Sequence, residues 1–246
     1  VLTFVPSAPV APASAGSVIS TFDVRPVLRR RATMAYVLGY AAHMWELFAV
    51  RAWIVAFLAW CFSAHPDGDG WSATRIAAIV NLVGMPASVV GNEWSVRLGR
   101  RRAIASLMLV SALVAVAVGR VSPISPGWAV ALAIVYGALV MSDSSSLTAG
   151  AVATAPPGRR GATLAVHSTV GFAAAFAGPL AVGVVLDAVA DPGQGWAAAF
   201  VVMGAANLIG IACVLGLGRR PGRPCPDDSP GRRSPRATLG AGTTLP

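Results

Sequence analysis

Three side chains that can carry a charge or a proton interrupt one long apolar segment. His43, Glu46 and Arg51 lie within residues 34–62, which read MAYVLGYAAHMWELFAVRAWIVAFLAWCF. On a helix, His43 and Glu46 lie roughly 60° from each other on one face. A carboxylate beside an imidazole can bind a solute or exchange a proton, and we expect both groups to face a water-accessible cavity. A fixed structural pair is the alternative interpretation.

Further polar groups occur in the same segment and in later ones. Arg51 lies about 140° round the helix from Glu46, so we expect it to pair with another helix or with an anionic substrate. Asp143 stands in the run SDSSS, where it can bind a solute or a cation, or cap a break in a helix. His167 is a candidate for proton coupling or for a hydrogen bond between helices.

The composition places these groups in a membrane. Of 246 residues, 55% are hydrophobic and 12% are charged, whereas a soluble domain carries about 25% charged residues. At about 1.5 Å per residue, residues 34–62 are long enough to cross a hydrocarbon core of roughly 30 Å. A charge near the bilayer centre costs at least about 2.5–3.5 kcal/mol, so the polar groups must face protein, water or one another.

Short polar stretches divide the chain into six apolar segments. They cover residues 34–62, 71–91, 103–119, 127–150, 162–186 and 196–217. The sequence therefore predicts an all-α integral membrane protein, a bundle of six transmembrane helices. The first, fourth and fifth segments are the most polar, while the third and sixth are nearly featureless and can face lipid. Because each set of three runs from polar to apolar, we expect an inverted 3+3 repeat.

The arginines indicate the orientation. All 19 basic residues are arginines, and those near the segments form clusters of four, four, two and three on one side, against Arg75 and Arg120 on the other. The positive-inside rule places the clusters, and both termini, in the cytoplasm. The opposite ends carry an expected interfacial belt of Trp60, Trp71, Trp128 and Trp196.

The remaining composition excludes several classes of function. The net charge of +9 follows from membrane orientation, and no loop holds the basic and aromatic platform that nucleic-acid binding needs. The three cysteines, Cys61, Cys213 and Cys225, are scattered, so no disulfide, metal or cofactor is predicted. An intramembrane serine enzyme is disfavoured because no Gly-x-Ser-x elbow surrounds Ser142 or Ser144.

A loop motif adds a family resemblance. Residues 96–101 read Val-Arg-Leu-Gly-Arg-Arg. Together with the order of the segments, they resemble the C-terminal half of a major facilitator superfamily transporter, whose loop motif has the core Asp-Arg-x-Gly-Arg-Arg/Lys. Val96 stands where that motif has Asp. The matching residues, candidates for a cytoplasmic gating loop, are Arg97, Gly99, Arg100 and Arg101. The stretches AAHMWELFAVRAW and RRGATLAVHSTVGF also look like bacterial members.

The resemblance implies half of a secondary active transporter in the bacterial inner membrane. It would move a small solute by alternating access, as a symporter or antiporter, with a proton or another ion as coupling partner. Residues 1–32 would hold the end of a preceding helix and a cytoplasmic linker, 33–217 the bundle, and 218–246 a disordered tail. An N-terminal six-helix half would be missing, and the alternative is a non-transporting truncated or partner membrane subunit.

The orientation can be tested by cysteine labelling in intact cells. A cysteine placed at Gly70 should react with a membrane-impermeant maleimide added outside, because that loop lies on the side that is poor in arginine. A cysteine at Arg102 should react only after the membrane is permeabilised. External labelling at Arg102 would overturn the topology.

Overall fold

The computed structural model describes residues 23–65 and 70–217 as an assembly of helices. This part of the chain is 90% helical and has no strand. The helices are α1 (Arg25–Arg29), α2 (Arg31–Ser63), α3 (Ala73–Leu98), α4 (Arg100–Val121), α5 (Pro126–Ser142), α6 (Ser144–Ala153), α7 (Arg160–Ala188) and α8 (Pro192–Gly216). A short 3-10 turn, Ser122–Ile124, extends α4. Residues 1–22 of the expected linker and the expected tail, 218–246, lie outside the described residues.

Six candidate spans confirm the predicted class of fold. They are α2, α3, α4 with its 3-10 turn, α5 together with α6, α7 and α8, and each is long and apolar enough to cross a membrane. Three spans begin at a capping side chain: Ser72, Ser125 and Asp191 each accept a hydrogen bond from a backbone amide three residues further on. Such caps satisfy amides that a helix start leaves without partners.

Residues 91–102, GNEWSVRLGRRR, contain the loop motif and are polar enough to predict a cytoplasmic loop, but they are mostly helical. Helix α3 continues to Leu98, and α4 begins at Arg100, so Gly99 alone separates them. Gly99 has a φ of 88°, a conformation that favours glycine. The prediction of a longer loop was wrong because polar residues end an apolar segment in sequence but do not end a helix that projects beyond the hydrocarbon.

The packing has the pairing expected of an inverted repeat. Helix α2 packs mainly on α7 and α8, while α5 packs mainly on the equivalent helices α3 and α4. Helices α4 and α8 also pack extensively on each other. Exchanging the first three spans for the last three therefore leaves the main contacts in place.

Two glycines let equivalent helices approach closely. A side chain on Gly91 of α3 would collide with the backbone of Ser142, and a Cβ atom on Gly178 of α7 would lie 2.5 Å from the carbonyl oxygen of Trp45. Small residues at helix contacts are a common means of association in membranes, because association there depends on close packing.

The tryptophans at the expected outer ends divide into two environments. Trp71 and Trp128 are exposed, as an interfacial belt requires. Trp196 is instead 7% exposed and packs edge-to-face on Phe57, with ring centroids 5.2 Å apart. Trp196 thus differs from the other two, because its indole fills an aromatic cluster between α2 and α8.

The close approach of α7 to α2 predicts a stability difference between two glycine variants of the same helix. Gly178→Ala should lower the thermal unfolding midpoint in detergent, because overpacking costs about 1–3 kcal/mol. Gly161→Ala should leave it unchanged or slightly higher, since nothing lies within 4 Å of a Cβ atom at Gly161. Equal midpoints for the two variants would contradict the described packing.

Candidate functional site

The fourth span is interrupted at Asp143, and a buried acid-base pair occupies the break. Helix α5 ends at Ser142 and α6 begins at Ser144. Oδ1 of Asp143 lies 2.8 Å from Nδ1 of His43 on α2, and both side chains are buried. The two atoms do not form an aligned hydrogen bond, so their contact is electrostatic and ionic when the imidazole is protonated.

A stack of rings continues from this pair to α7. Tyr40 is stacked between His43 and His167, with centroid distances of 5.7 Å and 3.8 Å. Nε2 of His167 lies 3.3 Å from the hydroxyl of Thr148 on α6. The candidates His43, Asp143 and His167 from three different spans therefore belong to one cluster.

Glu46 belongs to a separate buried network. Its Oε1 accepts hydrogen bonds from the hydroxyls of Ser111 on α4 and Tyr136 on α5, at 3.0 Å and 2.9 Å. Its Oε2 accepts a hydrogen bond of 2.8 Å from Nδ2 of Asn207 on α8. Three neutral donors thus surround a carboxylate that is 2% exposed.

The expected water-accessible face for His43 and Glu46 is not present. The two side chains are 1% and 2% exposed, and they contact different neighbours although they share one face of α2. Ser111 and Asn207 interrupt the nearly featureless third and sixth segments, and the sequence did not predict that they bind Glu46. For Asn207, its position as a lone polar residue in an otherwise apolar segment is the signal that could have identified it.

Arg51 lies on a more open face. Its Nε donates a hydrogen bond of 3.2 Å to Oδ1 of Asn81 on α3, and its guanidinium carbon lies 5.8 Å from the ring centroid of Phe48. The side chain is exposed. The expected partner on another helix is therefore an amide, which leaves the positive charge uncompensated by any carboxylate among residues 23–65 and 70–217.

The motif residues lie around the tight connection between α3 and α4. Arg97 forms a salt bridge of 3.0 Å with Glu93, one turn earlier on α3, and both side chains are exposed. The Arg101 guanidinium lies 5.9 Å from the ring centroid of Tyr36 on α2, while Arg100 and Gly99 border the same depression.

Serines that the sequence analysis did not single out attach the broken span to α3. The hydroxyls of Ser88 and Ser145 are hydrogen-bonded, and Ser146 donates a hydrogen bond of 2.7 Å to the hydroxyl of Ser95. The run SDSSS therefore has two roles: its aspartate contacts His43, and its later serines bind α3. Within the part of the chain that the structure describes, no group of three or more His, Cys, Asp or Glu side chains could hold a metal ion.

The network around Glu46 predicts that two substitutions differ sharply in stability. Glu46→Gln should unfold near the wild-type midpoint, because Oδ1 of Asn207 lacks a hydrogen-bond partner and can accept from the new amide if Asn207 turns over. Glu46→Ala should be strongly destabilised, since each buried donor left unpaired costs about 1–3 kcal/mol. The midpoint of thermal unfolding in detergent measures the stability of both variants.

Glu93→Ala is the matched control for this experiment. Its carboxylate takes part in an exposed pair, and such pairs contribute only about 0–1 kcal/mol. A Glu46→Ala midpoint as close to wild type as that of Glu93→Ala would show that the network contributes little.

Comparison with known protein families assigns the chain to one of them. No significant match is found among curated proteins or among solved structures. The family model described as Major Facilitator Superfamily matches residues 36–242, which is most of the chain and includes all six spans except the first turns of α2. With this match and six apolar helices, the chain belongs to the Major Facilitator Superfamily of membrane transporters.

Proposed function

We propose that this chain is half of a proton-coupled secondary transporter that moves a small solute by alternating access. The observation that carries the proposal is the buried pair of His43 and Asp143 at the break in the fourth span. Buried charges are costly unless they are paired. A proton that enters or leaves this pair therefore changes the free energy of any conformation that keeps it buried.

The surroundings of the pair support a coupling role. Three groups that can carry a proton come from different spans: His43 from α2, Asp143 from the α5–α6 junction, and His167 from α7. Tyr40 connects the two imidazoles through its ring. Because the three groups belong to three spans, protonation of one group would alter contacts that join all three.

The break in the span provides a means of movement. Asp143 separates α5 from α6, and no proline fixes the backbone there. A change in the contact between Asp143 and His43 would therefore let α6 tilt relative to α5. Serine bonds hold α6 to α3, so a tilt would be passed to that helix. Helix α3 leads directly to Gly99, where we place the cytoplasmic gate formed with Arg97, Arg100 and Arg101.

The exposed faces of α3 and α7 support the presence of a second six-helix bundle. These two spans are the least buried of the six. They carry exposed polar groups near their middles, including Asn81 on α3 and Thr169 on α7. Polar groups at such depth avoid lipid. A solute site between two bundles, with cytoplasmic termini on both, is the arrangement we propose.

Proton coupling can be separated from solute movement by one variant. In liposomes that contain the complete transporter, Asp143→Asn should reduce accumulation driven by an imposed pH gradient to background. Exchange of labelled for unlabelled solute at equal pH should continue, because exchange requires no net proton transfer.

The control is Asp187→Asn, which removes an exposed carboxylate near the C-terminal end of α7, far along the helix from His167. It should leave both activities unchanged. If Asp143→Asn retains gradient-driven accumulation, the coupling role is wrong. If no solute crosses through wild-type protein in either assay, the chain belongs to a non-transporting membrane subunit instead.

A further inference from the structure

One charged side chain lies where the proposed solute path would run and takes no part in the buried networks. Arg51 is exposed on α2, nine residues before Trp60. At about 1.5 Å per residue this is roughly 14 Å along the helix. Trp60 lies near the end of α2, so Arg51 is close to the middle of a hydrocarbon core of roughly 30 Å. An arginine at that depth must face water, protein or a ligand.

A hydrogen bond orients the Arg51 guanidinium, and no carboxylate among the described residues pairs with its charge. Nδ2 of Asn81 donates a hydrogen bond of 2.9 Å to the carbonyl oxygen of Ala77, which turns Oδ1 toward Arg51. That oxygen accepts from Nε only, at 3.2 Å. Within residues 23–65 and 70–217, the two terminal nitrogens form no hydrogen bond or ion pair. They present the parallel donors that bind a carboxylate in a bidentate manner.

Aromatic surface adjoins the free charge. Phe48 lies one turn before Arg51 and packs edge-to-face on Phe172 of α7, with ring centroids 6.3 Å apart. Phe172 is 57% exposed, and Phe176, one turn further along α7, is 72% exposed. An apolar wall next to one fixed cation matches a ligand that has an acidic group on an apolar body.

We propose that the transported solute is a small organic anion, whose carboxylate binds Arg51 and whose apolar body packs on Phe48 and Phe172. This assignment rests on the proposed transport function and adds the chemical class of the substrate. It gives Arg51 a role distinct from the His43 and Asp143 pair, since Arg51 holds the solute while that pair exchanges the proton.

Binding tests the charge requirement directly. The probes are benzoate, phenylacetate and hexanoate, each compared with its neutral amide at constant ionic strength, and the readout is the rise in unfolding midpoint of the purified transporter. A ligand that binds the native state raises the midpoint. We expect at least one carboxylate to do so and its amide to have no effect.

Three arginine variants locate the effect. Arg51→Gln should abolish the rise without changing the midpoint of unliganded protein, and Arg51→Lys should retain a smaller rise because it keeps the charge but loses the bidentate fork. Arg75→Gln, which removes an exposed arginine near the outer end of α3, should behave as wild type. Carboxylates that fail to bind, or that bind equally to Arg51→Gln, would overturn the proposal.

Solute exchange in liposomes distinguishes this proposal from the transport function on which it rests. Exchange of neutral or cationic solutes that is insensitive to Arg51→Gln would refute the anion assignment and leave transport intact. Absence of exchange for every class would refute both. If Arg51→Gln instead lowers the midpoint of unliganded protein and carboxylates do not bind, Arg51 pairs with a carboxylate of the second bundle and the proposal is wrong.

Discussion

A carboxylate shared among four helices is the constraint on which the bundle depends. Glu46 is buried and accepts hydrogen bonds from α4, α5 and α8 while it belongs to α2. Within residues 23–65 and 70–217 these three donors form no other hydrogen bond, so separating any of the helices would break a buried hydrogen bond. The network therefore favours movement of these four helices as one body. The proposed rocking of a bundle requires such a unit, and we therefore propose that Glu46 maintains the bundle and takes no part in the proposed proton transfer.

The residues that we propose to exchange a proton lie beside the Glu46 network. His43 is on the same face of α2 as Glu46, yet it contacts Asp143 at the only interruption of the fourth span within the described residues. The pair is close but poorly aligned, whereas every hydrogen bond to Glu46 has good geometry. In our proposal a change in protonation acts on α6 and α7, which, like α3, form no hydrogen bond with Glu46. Arg51 lies on the open side of α2, where we propose that it binds the solute.

The sequence predicted the spans well because length and hydropathy decide whether a helix crosses a membrane. It failed at residues 91–98, since local polarity does not distinguish a projecting helix from a loop. The polar residues themselves were recognisable, as buried groups in apolar segments are costly. Their pairing was not, because Glu46 finds partners as far along the chain as Asn207, and only the packing of whole helices brings these together. Packing between whole helices also brings His43 into contact with Asp143, whereas its position in the sequence suggested a pair with Glu46.

The division of roles between the two buried carboxyl groups is the central claim, and infrared difference spectroscopy tests it most directly. Spectra of the transporter in liposomes would be compared with and without an imposed pH gradient. We predict a carboxyl signal that differs between the two conditions, is lost in Asp143→Asn and persists in Glu46→Gln. A signal that persists in Asp143→Asn and is lost in Glu46→Gln would contradict it and assign the transported proton to Glu46.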